Sequence, residues 1–98
     1  MPDEEKIKSI AREVATATLG GANVDHVVSK GIVDTEGNDA LQIMVILTPG
    51  SSETLTGAPL LDTMVKLHER LREEGETRFP FVRYADKKEL EESGAAQP

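Results

Sequence analysis

The chain has 98 residues, 38% of them hydrophobic and 30% charged, and its 11 Lys and Arg stand against 18 Asp and Glu for a formal net charge of -7. A chain of this size builds one core and not two, and its acidic balance turns long-range electrostatics against phosphate backbones, so direct nucleic-acid binding is not expected. With no Cys, disulfides, thiolate nucleophiles and sulfur-ligated zinc are excluded.

Met1-Pro2-Asp3-Glu4-Glu5 has neither the basic end nor the apolar stretch of an export signal. No apolar run approaches the roughly 20 residues that span a bilayer. The expectation is a cytoplasmic protein with no membrane association. Ile7, Ile10, Val14 and Thr18 recur at three- and four-residue steps beside Ala11 and Ala15, which predicts an amphipathic helix over Glu4 to Leu19. Asp3 is placed to cap it and Gly20-Gly21 to end it.

Val24 to Val33 is rich in β-branched residues and reads as a strand, with Val24, His26, Val28 and Ile32 on one face. Gly31 marks a bulge or a close backbone approach, so the facing after Lys30 stays open. Thr35 to Asp39 supplies turn formers, joining this strand to Ala40–Thr48 as an antiparallel hairpin. In the second strand Leu41, Ile43, Val45 and Leu47 form an aliphatic face toward the helices. Gln42, Met44, Ile46 and Thr48 form a mixed one that is apolar enough to want a cover.

A helix follows over Leu60 to Glu74, with Pro59 in its first turn and Gly75 at its end. Leu60, Met64, Leu67 and Leu71 make one stripe, and Leu61, Val65 and His68 lie alongside. Phe79 to Ala85 is a short third strand that Pro80 assigns to a sheet edge. Asp86-Lys87-Lys88-Glu89 has capping-box spacing for a short last helix, and residues 93–98 read as a disordered tail after a domain of residues 1–92. The fold class is α+β: a two-layer sandwich in the order αββαβ, its three-stranded mixed sheet carrying two long helices on one face.

The loop Pro49 to Gly57 lies between a strand C-terminus and a helix N-terminus, where free amides favour anions. Gly50, Ser51, Ser52, Thr54 and Thr56 are its candidate ligands. The stretch Leu41 to Leu71 resembles the opening of a nucleotidyltransferase. That resemblance implies an acidic pair on the following strand for magnesium, where this chain has Arg83 and Asp86 instead. Pro2 is similar to the basic proline of tautomerases, yet it precedes an acidic helix start.

His26 and His68 are the only histidines and lack partners at ligand spacing, so no metal, cofactor or catalytic residue is assigned, and an enzyme is not the favoured reading. Lys66, Arg70, Arg78 and Arg83 are interleaved with Glu69, Glu73, Glu74 and Glu76, the pattern of a salt-bridged surface.

The leading expectation is a small bacterial-style accessory module that docks a protein partner, or itself as a homodimer, through the uncovered sheet face. Its candidate interface is Met44, Ile46, Phe79, Phe81 and Tyr84. The alternatives are an anion- or nucleotide-binding domain using the Gly50 to Gly57 loop, and an acidic antitoxin-like inhibitor of a basic, nucleic-acid-directed protein.

Overall fold

The computed structural model describes residues 2–55 and 57–96. Helix α1 (Glu4–Leu19) leads through a 3₁₀ turn into strand β1 (Val24–Val33), and β2 (Asp39–Leu47) returns beside it. A single-turn α2 (Ser51–Thr54), the long α3 (Gly57–Glu73), strand β3 (Phe79–Asp86) and a last helix α4 (Lys87–Ala96) complete the chain. The sheet order is β1-β2-β3, antiparallel between β1 and β2 and parallel between β2 and β3. It is the α+β, two-layer, mixed-sheet architecture that the periodicities predict. The helix α4 runs to Ala96, over ground expected to belong to the tail; residues 97 and 98 lie outside the described residues.

The core is where those periodicities put it. Ile7, Ile10, Ala11, Val14 and Ala15 of α1 meet Leu41, Ile43, Val45 and Leu47 of β2, with Leu67 and Leu71 of α3 closing the same cluster. The Asp3 carboxylate accepts the Lys6 amide at 2.8 Å and fixes the start of α1. At the far end of α3, Gly75 takes a left-handed φ of 88°. Its amide donates to Arg72 O and that of Glu76 to Leu71 O, a Schellman closure. A Cβ on Gly75 would meet nothing within 4 Å, so Gly75→Ala carries the conformational cost alone, about 1 kcal/mol. Chemical denaturation should show that loss with an unchanged m-value.

Two details differ from the sequence expectation. The break in the β1 register falls between Val24 and His26, so the bulged residue is Asp25. Gly31 sits in regular register opposite Leu41. Val24 is therefore turned to the core while His26, Val28 and Ile32 face away from the helices. Gly31 is the close approach of the two alternatives: a Cβ there would come within 3.3 Å of an Arg78 guanidinium nitrogen. On α3 the buried stripe is Thr63, Leu67 and Leu71, and Met64, expected inside, is exposed. Thr63 is accommodated because its hydroxyl lies against that of Thr18 on α1 and donates to Pro59 O at 2.8 Å.

Candidate functional site

The parallel register of β2 and β3 decides which side chains share a face. Phe79, Phe81, Arg83 and Ala85 pair with Ala40, Gln42, Met44 and Ile46 on the side away from the helices. Tyr84 pairs with Val45 and so faces the core layer, where its hydroxyl donates to Leu60 O at 2.7 Å. Burial pushes the Tyr84 hydroxyl pKa up, against a smaller opposing contribution from the Thr63 hydroxyl, so it stays a donor at neutral pH. Tyr84 thus belongs to the packing of α3 on β3. Ile46, a second candidate interface residue, is only 3% exposed. Met44 is half-buried, whereas Phe79 and Phe81 are 55% and 41% exposed.

Those two phenylalanines open onto a groove of about 910 Å³ along β3. On the sheet side Phe79 packs on Phe81 with ring centroids 4.8 Å apart; on the helix side Phe79 meets His68 edge-on at 5.5 Å. The wall contributed by α3 is Met64, Val65, His68 and Glu69. Leu61, one turn before Val65, is exposed on the same side of α3. This wall has a sequence signature. At 100° per residue, Leu60, Leu61, Met64, Val65, Leu67, His68 and Leu71 cover an arc of roughly 160°, wider than one buried face requires. The core takes the Leu60, Leu67 and Leu71 part of that arc, and the remainder is left outside.

The loop after β2 has a different character. Gly50 N and Ser52 N donate to the Asp86 carboxylate at 3.2 and 3.1 Å, and Ser52 Oγ donates to it at 2.8 Å. Ser51 N donates to Thr48 O, Ser51 Oγ to Asn23 Oδ1 at 3.1 Å, and Thr54 Oγ1 to Ser51 O. Thr56 lies outside the described residues. Asp86 also accepts the Lys88 amide at 2.9 Å, which begins α4. Burial acts to raise the Asp86 pKa, but the Ser52, Lys88 and Gly50 donations outweigh it and hold the carboxyl below its usual range. The anion that this loop holds is the chain's own carboxylate.

Three of the basic residues are paired with carboxylates. Lys66 pairs with Asp62 at 3.0 Å and, one turn on, Arg70 with Glu13 at 3.2 Å, while Arg78 pairs with Glu76 at 2.9 Å beyond the end of α3. His26 Nδ1 lies 2.5 Å from Asp25 Oδ2 at the bulge, and Lys87 reaches the same carboxylate at 3.4 Å. Among the described residues no three His, Asp or Glu side chains come together as a metal site, and no helix is long and apolar enough to cross a membrane. No family model, curated protein or solved structure matches the chain.

Proposed function

We propose that this protein is a docking module whose working surface is the apolar groove along β3. One observation carries the reading. Of the eight large apolar side chains exposed among the described residues, Val33, Met64, Val65, Phe79 and Phe81 line this single groove. Scattered exposed apolar residues need no explanation, but a contiguous patch of them in a 98-residue acidic chain is costly to keep in water without a use. Phe79 and Phe81 are also of a residue type enriched in interface cores, with a large apolar area to bury. The self-satisfied Gly50 to Ser52 loop leaves the anion-binding alternative with little to recommend it.

A photoreactive benzoyl-phenylalanine placed at Phe79 tests this. In extracts it should form covalent adducts, with another chain of the same protein or with a different one, that are lost when Phe81 is changed to Glu. The same group at Arg12, exposed on α1, should form none. If the Phe79 probe yields nothing beyond the Arg12 background, the docking reading is wrong.

A further inference from the structure

The groove is a trough along an unpaired strand. β3 is an outer strand of the sheet, so the side turned away from β2 presents unpaired backbone groups along Phe79–Asp86, with no N–H at Pro80. Phe79 and Phe81 stand on one side of that edge and Met64 and Val65 of α3 on the other. An extended segment laid along β3 would be flanked by apolar side chains on both of its faces. That is the arrangement used in strand addition.

We infer that the segment laid there is β3 of a second copy, paired antiparallel about a two-fold axis so that one six-stranded sheet runs through a homodimer. This rests on the docking reading and names its occupant. Area argues for a copy. The exposed fractions of Leu61, Met64, Val65, Phe79 and Phe81 leave roughly 400–500 Å² of apolar surface when full side-chain areas of about 150–200 Å² are assumed. That is close to the apolar share of the ~800 Å² which each protomer contributes to a stable interface.

Self-complementarity argues for it as well. A two-fold axis normal to the sheet sets odd-numbered residues of β3 against odd-numbered residues of its copy, so Phe79, Phe81 and Arg83 meet one another. A register centred on Arg83 opposes two guanidinium groups and is disfavoured. The neighbouring registers, centred on Phe81 or Val82, place Arg83 of each protomer across from Phe79 or Phe81 of the other. There a cation lies beside an aromatic ring and both faces are apolar enough to bury. Exposed edges are usually blunted by charge; on this one the single charged side chain before the terminal Asp86 finds a favourable counterpart in the same edge.

Charge gives the assembly a signature. Two protomers of net charge -7 repel each other at long range, so added salt should tighten self-association by screening. Docking of a basic partner on the same acidic protein would weaken instead.

Sedimentation velocity of the full chain, run over a wide concentration range at low and at high salt, is the test. The expected result is a reversible rise from 10.6 kDa to twice that mass, with a dissociation constant that falls as salt is added. Phe81→Glu and, on the opposite wall, Val65→Glu should each raise it at least ~10-fold while leaving the melting temperature of the monomer near that of the parent. The amides of Phe81 to Ala85 should exchange more slowly as concentration rises. A chain that stays at 10.6 kDa at every concentration and salt overturns the homodimer. In that case, adducts of the Phe79 probe with a different protein would leave the docking reading standing and change only its occupant, whereas no adducts would remove both. A dimer that ignores both substitutions, or whose β3 amides exchange no more slowly than in the monomer, overturns the edge pairing.

Discussion

Glu76→Gln should lower stability at neutral pH by about 2 kcal/mol and flatten its dependence on acid. Glu76 is 4% exposed in the turn between α3 and β3. Its Oε2 accepts the Arg78 amide at 2.9 Å and Nε at 3.0 Å, and its Oε1 accepts Nη2 at 2.9 Å. The forked donation from Arg78 holds the Glu76 carboxyl below its ordinary value near 4.5, against burial that acts to raise it. A carboxylate with a depressed folded pKa stabilises the fold fully above its unfolded pKa, and that contribution disappears as pH falls through the folded value. Urea midpoints of the parent should therefore drop below about pH 4.5, and those of the variant should change less and converge with the parent in acid. Gln keeps an acceptor for the Arg78 amide but removes the charge, so the loss reports mainly on the uncompensated guanidinium. Arg78 is seated over Gly31, where a Cβ would approach Nη1 to 3.3 Å. Gly31→Val should accordingly reproduce part of the effect, and equal pH profiles for Gly31→Val and the parent would refute that seating.

Asp86→Ala should cost more than the loss of an ordinary helix cap, with a fall in melting temperature on the order of 10 °C. Its carboxylate is the common acceptor for Gly50 N, Ser52 N, Ser52 Oγ and Lys88 N. Removing it orphans donors on two separate segments at once. Asp86→Asn retains one acceptor oxygen and should fall between Ala and the parent. Hydrogen exchange would localise the damage, with the amides of Gly50 to Ser52 and of Lys88 opening together. If only those of Lys88 were affected, Asp86 would be a simple cap for α4 and no link between the two segments.

Much of this was open to inspection in the chain itself. The 3.6-residue period of Ile7, Ile10 and Val14 with its flanking Asp3 and Gly20 defines α1 as Glu4–Leu19. Alternation gives β1 and the inward face of β2, and Gly75 stops α3 as expected, although the helix starts at Gly57, ahead of Leu60, and its last residue is Glu73 and not Glu74. What was hidden depends on contacts between distant segments. The Asp25 bulge has no glycine to announce it. The side taken by Tyr84 depends on how β3 is set against β2, which no local pattern encodes. Thr63 looks like a surface residue until Thr18 is brought beside it. Met64 and Val65 belong to an apolar arc that is visibly too wide, but sequence alone does not say which part of it the core will claim. The Gly-Ser loop reads as an anion site for sound reasons, and the carboxylate that meets it lies 34 residues beyond Ser52.

The outer strand β3 has a buried carboxylate at each end: Glu76 before it braces Arg78 within the turn, and Asp86 at its end ties it to the loop after β2. Removal of β3 would turn Leu41 to Leu47, the most apolar run of the molecule, from the middle of the sheet into a free margin with every inward residue aliphatic. Both carboxyls are held below their ordinary values, so each keeps its charge until the pH falls below the usual carboxylate range. Acid that protonates Asp86 removes the tie between the end of β3 and the loop after β2, and a β3 that peels from there bares the most apolar strand of the sheet.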